Sequence, residues 1–164
     1  MIRWITPHYR MNSVLELDAA HLRRLGLDGL LLDLDGTLKD YGALEVPEPV
    51  AAWVGKLQGE GLQLCLLSNG KTRRIERYAR ELGLPFVAKA FKPLPFGCRK
   101  ALRLLGLERS RVAVVGDQIF ADVLAGRLAG LRTFWVPPTH SPAVEPWFTR
   151  IKRPLERWVL RGLT

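Results

Sequence analysis

Residues 30–38 read LLLDLDGTL, an apolar run that carries two aspartates and then breaks at a glycine. The leucines predict a buried strand, and the two-residue period of a strand places Asp33 and Asp35 on the same side of the pleat. Carboxylates so placed repel each other, so burial raises a pKa or requires a cation nearby. The alternative is that the aspartates simply end the strand and cap the turn that follows. Residues further along the chain decide between the two interpretations.

The composition predicts one globular domain over residues 1–164. The chain has 164 residues, of which 48% are hydrophobic, and this is enough for a substantial core. We expect an N-terminal arm and short helix over 1–28, an α/β core over 29–138, and a C-terminal loop and helix over 139–164. The two cysteines, Cys65 and Cys98, are predicted to be core residues rather than a disulfide or a zinc site.

Location and partners follow from hydropathy and charge. The sequence contains no apolar run of the roughly 20 residues that span a bilayer, and residues 1–7 lack the features of a signal peptide. A cytoplasmic protein is therefore the default expectation. The net charge of +9 favours phosphorylated or polyanionic partners. Charge alone does not distinguish nucleic acid, anionic lipid and small phosphate esters.

Hydrophobic periodicity predicts strands that alternate with helices. The strands are expected at 28–35, 62–67, 86–88, 112–115 and 133–136, and the helices at 18–25, 47–59, 71–82, 95–105, 121–129 and 154–160. Residues 1–17 show no clear period and are interpreted as an irregular arm. The alternation predicts an α/β fold, with a Rossmann-like parallel sheet of about five strands and helices on both faces. Ligands of such sheets bind beyond the carboxyl ends of the strands.

The residues at those strand ends suit phosphoryl transfer. Three carboxylates with waters form an oxygen site of the kind that Mg²⁺ prefers, and such an ion offsets the repulsion between the first pair. An ionised Asp33 beside the metal would attack phosphorus, and Asp35 would protonate the leaving oxygen and then activate water. Phosphoryl oxygens would be bound by a hydroxyl, a lysine and the backbone N–H groups of the first loop. These strand-end residues are Asp33, Asp35, Gly36, Thr37, Ser68, Asn69, Lys92 and Asp117.

The chain resembles the haloacid dehalogenase superfamily of phosphatases over roughly residues 5–160. Its Asp-x-Asp-x-Thr motif is matched at 33–37, its second motif at Ser68, its third at Lys92, and its acidic fourth at Asp117 with Asp122. Within the superfamily, the length and the segment GDQIFADV at 116–123 are similar to YqeG-type phosphatases of subclass IIIA. Yeast relatives of that branch act on phosphatidylglycerophosphate.

The resemblance implies a Mg²⁺-dependent mechanism through an aspartyl-phosphate, with Asp33 as nucleophile and Asp35 as acid and base. It implies that the ion is bound by Asp33, the backbone carbonyl of Asp35 and Asp117, with Asp122 as a nearby support. Gly36 is a departure, because this branch more often has asparagine there. Glycine is common across the wider superfamily, so the implied chemistry stands.

Each of the later motif residues has a structural alternative. Ser68 and Asn69 form a turn in that interpretation, and Lys92, which precedes a proline, is a solvated loop residue. Asp122 is then a helix-terminal residue bound to a local backbone or charge partner. The order of the four motifs along predicted strand ends favours the catalytic interpretation.

The substrate is expected to be large, because the sequence leaves no room for a cap domain over the site. Residues 38–67 already hold a loop and a helix, and the second and third motifs are too close for an insertion. Lys71, with Arg73 and Arg74, is expected at the rim of the site and is a candidate for binding substrate. The predicted C-terminal helix carries Leu155, Trp158 and Val159 on one side and Arg153, Arg157 and Arg161 toward the other. Such a helix lies on an anionic membrane surface or docks on its own domain.

Three functional hypotheses remain open at this point. The first is a phosphatase for phosphatidylglycerophosphate that makes peripheral contact with the inner face of a membrane. The second is a phosphatase for a soluble or nucleic-acid phosphate. The third is a non-catalytic module whose basic surface binds RNA or a ribosomal particle. The clustered carboxylates disfavour it, because a protein that only binds RNA gains nothing from them.

Overall fold

The computed structural model describes residues 4–140 and 144–162, and its framework is a six-stranded parallel sheet. The strand order across the sheet is β1-β6-β5-β2-β3-β4, and every neighbouring pair is parallel. The strands are β1 (Tyr9–Arg10), β2 (Gly29–Leu32), β3 (Gln63–Leu67), β4 (Phe86–Val87), β5 (Val112–Gly116) and β6 (Arg132–Trp135). The predicted α/β class and parallel sheet are confirmed.

Helices connect the strands and follow the last one. They are α1 (Ala19–Arg24), α2 (Glu48–Gly59), α3 (Thr72–Leu82), α4 (Phe96–Leu105), α5 (Leu124–Leu128) and α6 (Trp147–Arg161). Short 3₁₀ turns cover Val14–Glu16 and Arg109–Arg111, and a π-helical turn covers Ile119–Val123 immediately before α5. A wide turn of this kind is frequent at functional sites.

The leucine run forms the centre of the sheet. All four residues of β2 are buried, and β2 pairs with β3 on one side and β5 on the other. Leu30 and Leu32 pack with α2 and α3 on one face, while Leu31 packs with α4 and β5 on the other. A strand buried on both faces needs a continuous apolar sequence, which explains why this run lacks alternation until Asp33.

The N-terminal arm differs from its prediction. Tyr9 and Arg10 form β1, which pairs with β6 and adds a sixth strand to the predicted five. The ring of Tyr9 stacks on Phe134 with centroids 4.7 Å apart. A two-residue strand is too short to show a period, so the irregular interpretation of residues 1–17 was wrong here.

The last helix also differs from its prediction. It begins at Trp147 rather than Pro154, with Pro146 before it and Pro154 inside it. Proline has no N–H to donate to the carbonyl four residues earlier, which here belongs to Arg150. Because Pro154 is exposed, water can bond to that carbonyl. The predicted faces were wrong as well, because Arg153 is buried while Leu155 and Trp158 are exposed.

Other expectations about the core and the connections are confirmed. Cys65 and Cys98 are free and buried, and burial raises the pKa of each thiol to about 12. Residues 38–67 contain a loop, α2 and β3, with no inserted domain. Among residues 4–140 and 144–162, no helix has the length and apolar character needed to cross a membrane.

Candidate active site

Asp33 is held at the carboxyl end of the central strand. Its backbone N–H donates to Val115 O at 3.0 Å, which extends the β2–β5 pairing by one residue. The Thr37 hydroxyl donates to Asp33 Oδ2 at 3.1 Å and lies 3.3 Å from Asp117 Oδ1. The loop therefore returns Thr37 to the strand end, where it lies between the carboxylates of two neighbouring strands.

Three carboxylates meet at this point. Asp33, Asp117 and Asp122 are buried, and each offers an oxygen within 4.8 Å of the others. The π-helical turn aims Asp122 back toward the strand end, where its Oδ2 accepts the Gln118 N–H at 3.1 Å. Gly116 leaves room for this side chain, because a Cβ there would lie 2.3 Å from Asp122 Cγ.

Lys92 is buried against this cluster instead of lying in solvent. Its Nζ donates to Asp33 Oδ1 and to Asp122 Oδ1, both at 2.6 Å, and to Leu67 O at 3.0 Å. Asn69 fixes the backbone of Lys92, since its amide exchanges hydrogen bonds of 2.8 and 3.0 Å with the lysine's N–H and carbonyl. In this structure Asn69 thus positions Lys92.

The cluster carries more negative than positive charge. Burial raises the pKa of Asp33 to about 7, and repulsion from Asp122 adds to the rise while Lys92 opposes it. Burial and the same neighbouring carboxylates also raise the pKa of Asp117 well above its usual range. Burial alone would lower the pKa of Lys92, but Asp122 and Asp33 raise it above its ordinary value. The ammonium of Lys92 and the guanidinium of Arg153, which contacts Asp117, are two cations for three buried carboxylates. A further cation would offset the remaining negative charge.

Asp35 lies in a different electrostatic environment from Asp33. Its Oδ1 accepts hydrogen bonds from Lys39 Nζ at 2.9 Å and from Arg74. Burial raises the pKa of Asp35, but the hydrogen bonds from Arg74 and Lys39 outweigh burial and hold it below the usual range. Lys39 is itself buried, with its ammonium 5.2 Å from the Tyr78 ring centroid. The sequence analysis did not identify Lys39, which looked like the first residue of a loop.

Arg153 is a second residue that the sequence analysis missed. Its Nη1 donates to Asp117 O at 2.8 Å and to Glu156 Oε2 at 3.0 Å, and its Nε donates to Glu145 Oε1 at 2.8 Å. Its Nη2 donates to Asp117 Oδ2. The only sequence signal is the spacing of Arg153 and Glu156, which brings ion pairs together on a helix. Arg153 thus donates to Oδ2 of Asp117, while Oδ1 of Asp117 lies beside the Thr37 hydroxyl.

Two other residues predicted to bind substrate lie just beyond strand ends, Gly36 after β2 and Ser68 after β3. Ser68 is buried and its Oγ accepts the Gly70 N–H at 3.1 Å, so the hydroxyl proton can still be donated to a ligand. Gly36 has φ +86°, and a Cβ there would lie 2.8 Å from both Asp117 Oδ2 and His140 Cε1. The structure therefore explains the glycine by conformation and by space.

The site opens into two adjoining cavities. An inner pocket of about 260 Å³ is lined by residues that include Asp33, Asp35, Ser68, Lys92, Phe148 and Lys152. An outer cleft of about 1080 Å³ shares Asp35 and Tyr41 with the pocket and is lined by five basic residues, Lys71, Arg73, Arg74, Arg77 and Arg80. Lys71 therefore lines the outer cleft and not the inner pocket that Asp33 lines.

The donor set fits a divalent cation. Three buried carboxylates supply hard oxygen ligands. Burial and mutual repulsion raise the pKa of Asp33 and of Asp117, which is the effect that a nearby cation would oppose. Asp33 Oδ2 and Asp117 Oδ1 both face Thr37, whereas the other oxygen of each already accepts from Lys92 or Arg153. The site is suited to hold a divalent metal ion beside Asp33.

Comparison with known families agrees with this geometry. Residues 5–130 match the family described as haloacid dehalogenase-like hydrolase. The chain therefore belongs to this family of hydrolases, and the predicted resemblance is confirmed.

Individual relatives place the chain within the family. It is similar to the protein named probable phosphatase YqeG of Bacillus subtilis (strain 168), at 28% identity over 98% of this chain and 92% of that protein. It is also similar to the chloroplastic phosphatidylglycerophosphate phosphatase 1 of Chlamydomonas reinhardtii, at 29% identity over 94% of this chain but only 61% of that protein. A haloacid dehalogenase family hydrolase of solved structure from Streptomyces avermitilis has a similar fold, with a TM-score of 0.53, 20% identity, and coverage of 74% and 80%. The predicted similarity to YqeG-type proteins is confirmed.

Proposed function

We propose that this protein is a Mg²⁺-dependent phosphatase that hydrolyses phosphomonoesters through a phosphate ester of Asp33. The observation that carries the proposal is the position of Asp33, at the end of the central strand and at the wall of the inner pocket. Lys92 holds one oxygen of this carboxylate at 2.6 Å and leaves the other beside Thr37. A bound Mg²⁺ held by Asp33, the backbone carbonyl of Asp35, and Asp117 would neutralise charge on the phosphoryl oxygens, with Asp122 as its support.

In the first step, a carboxylate oxygen of Asp33 attacks phosphorus and the bond from phosphorus to the ester oxygen breaks. The Ser68 hydroxyl donates to a phosphoryl oxygen, and the positive charge of Lys92 at the pocket wall stabilises the negative charge that grows on the phosphoryl oxygens in the transition state. The leaving alcohol takes a proton from Asp35. In the second step, Asp35 removes a proton from water, the water oxygen attacks phosphorus, and Asp33 is released with inorganic phosphate.

Asp35 must gain a proton before it can act as an acid. In the free protein, Arg74 and Lys39 keep its pKa low. A phosphate dianion in the inner pocket raises the pKa of a neighbouring carboxyl group by repulsion. The same dianion attracts Arg74, whose side chain is 40% exposed and borders the outer cleft. Substrate binding would therefore favour the protonated form that the first step requires.

We propose phosphatidylglycerophosphate, or a phospholipid with a similar terminal phosphate, as the substrate. Two observations support this class. The outer cleft places five basic side chains next to Asp35, which suits a substrate with a second anionic group beyond the reacting phosphate. Relatives from Chlamydomonas reinhardtii and Arabidopsis thaliana are named phosphatidylglycerophosphate phosphatases. A soluble or nucleic-acid phosphate is the alternative, since the cationic cleft suits any substrate with two phosphates.

The mechanism is tested with Asp33→Asn and Asp35→Asn, with Asp40→Asn as the matched control because Asp40 lies in the same loop but is exposed. With phosphatidylglycerophosphate in mixed micelles, we expect Asp33→Asn to lower phosphate release at least about 1000-fold and Asp40→Asn to leave it unchanged. Omission of Mg²⁺ should have an effect of similar size to Asp33→Asn.

A substrate with a good leaving group separates the two steps. p-Nitrophenol leaves without a proton, so Asp35→Asn should release one equivalent of nitrophenol per enzyme in a burst and then stall at the phosphorylated Asp33. The absence of any phosphorylated protein in this variant, or full activity of Asp33→Asn, would disprove the mechanism. If Mg²⁺-dependent turnover is found only with soluble phosphates, the mechanism holds and the lipid substrate is wrong.

A further inference from the structure

Helix α6 has a buried face and an exposed apolar face along its length. One face is buried against the domain and carries Arg153, Glu156, Val159 and Leu160. A second face is apolar and yet exposed, formed by Trp147, Phe148, Ile151, Leu155 and Trp158, whose exposed fractions are 71, 53, 67, 53 and 64%. Spacings of four, four and three residues from Trp147 to Trp158 align these side chains on one side of the helix.

Basic residues border this exposed apolar face. Arg150 and Arg157, seven residues apart, lie along one edge, and Lys152 lies along the other. All three are exposed, whereas Arg153 is turned inward to Asp117. An outward apolar stripe with tryptophans and flanking cations is typical of helices that lie in the interface of an anionic bilayer.

The stripe adjoins the proposed catalytic pocket. Phe148 belongs to the stripe and also lines the inner pocket. Thr149 and Lys152 of the same helix lie outside the stripe and line the pocket as well. A surface that covers the stripe therefore lies at the mouth of the pocket that holds Asp33. For a lipid substrate, this arrangement presents the headgroup to the pocket while the acyl chains stay in the bilayer.

We propose that the exposed apolar face of α6 docks on the surface of an anionic membrane and holds the catalytic pocket at the lipid headgroups. This inference deepens the proposed lipid phosphatase function and, for its role in turnover, rests on it. The occupant that the observations favour is lipid rather than a second copy of the chain. Pairing of two copies through α6 would bring together the cationic edges of proteins that each carry a net charge of +9, and like charges repel.

Docking is tested by sedimentation with vesicles of phosphatidylcholine alone or mixed with phosphatidylglycerol. The wild-type protein should sediment with the mixed vesicles, and its tryptophan emission should shift to shorter wavelength as Trp147 and Trp158 leave water. The combined variant Ile151→Gln, Leu155→Gln, Trp158→Gln removes the stripe but keeps good helix formers. We expect at least a tenfold weaker binding to the mixed vesicles.

Two control variants separate the stripe from general properties of the surface. Leu104→Gln replaces an exposed leucine on α4 and should leave vesicle binding unchanged. Arg103→Glu on α4 and Arg157→Glu on α6 make the same change in net charge, and only the second should weaken binding, by about fivefold or more. Equal loss in both charge variants would show that binding depends on net charge alone and would overturn the docking face.

Turnover then links docking to the pocket. The triple variant should hydrolyse p-nitrophenyl phosphate at the wild-type rate, which also shows that it is folded, but should lose at least about tenfold in activity on phosphatidylglycerophosphate in vesicles. Unchanged vesicle binding by the triple variant would overturn the proposal. The proposal would also be overturned if the wild type were a dimer and the triple variant a monomer, because the face would then bind a second copy. If Asp33→Asn binds vesicles normally while the wild type hydrolyses no lipid phosphate, the lipid phosphatase function fails and the docking surface stands.

Discussion

The raised pKa of Asp33 predicts that Mg²⁺ binding depends steeply on pH. A carboxyl group must lose its proton to bind a metal. With a pKa of about 7, Asp33 is mostly protonated at pH 6 and mostly ionised at pH 8. Each pH unit below 7 therefore costs about 1.4 kcal/mol of binding free energy, or about tenfold in affinity. The pKa of Asp117 is raised as well, which adds to the pH dependence.

The metal-free protein should show the opposite trend in stability. Because the folded-state pKa of Asp33 lies above that of the unfolded chain, about 3.9, the contribution is most favourable below the unfolded value. It is lost as pH rises to about 7, and the loss amounts to about 4 kcal/mol. Bound Mg²⁺ should restore this stability above pH 7, where Asp33 is ionised.

The assay is a Mg²⁺ titration by calorimetry at pH 6, 7 and 8, together with urea unfolding in EDTA at the same pH values. The control is Asp33→Asn, which removes one titrating carboxyl group and should reduce the pH slope of metal affinity by about tenfold per unit below pH 7. An affinity that stays constant from pH 6 to 8, or a slope that is as steep in Asp33→Asn as in the wild type, would refute the assignment of the raised pKa to this residue.

Two further substitutions test the contacts around the carboxylates. Lys92→Met removes the ammonium shared by Asp33 and Asp122 and should destabilise the metal-free protein by about 3–5 kcal/mol in urea unfolding at pH 8. A smaller loss at pH 5, where Asp33 is protonated, is the matched control, and equal losses at both pH values would contradict the reasoning. Gly116→Ala places a Cβ 2.3 Å from Asp122 Cγ and should lower both turnover and stability, the latter by about 1–3 kcal/mol. Gly55→Ala, where nothing lies within 4 Å, should retain full activity, and a comparable loss there would show that the effect is not steric.

The sequence predicted the central architecture because the central strands form continuous apolar runs and the longer helices show a helical period. The leucine run, the turn glycines and the four motif positions identified β2 and the residues that follow it. Burial of Asp33, Asp117 and Asp122 together follows from the parallel order of β2 and β5, which sends their carboxyl ends to one edge. This much depends on local pattern and on the general geometry of α/β sheets.

The contacts between basic side chains and the aspartates, which shift the pKa values of the aspartates, could not be predicted in the same way. Arg153 reaches Asp117 from 36 residues away in sequence. Only Glu156, three residues further on, distinguishes it in sequence from the exposed Arg150 and Arg157. Lys39 and Arg74 converge on Asp35 from a loop and from α3. These contacts depend on how the last helix and the loop after β2 lie across the sheet, and tertiary packing decides this rather than local sequence.

The partners of Asp33 and Asp35 explain how one strand end holds residues for which opposite roles are proposed. Asp33 shares a single ammonium with Asp122 in a buried cluster, so its pKa is raised, whereas Asp35 has two cations of its own and its pKa is lowered. These protonation states are the reverse of those that the mechanism requires, because the nucleophile must be ionised and the acid protonated. A cation beside Asp33 favours its ionised form, and a phosphate dianion beside Asp35 favours its protonated form. The site should therefore reach its reactive state only when metal and substrate are both bound, and a phosphate that binds without the metal should meet a protonated, unreactive Asp33.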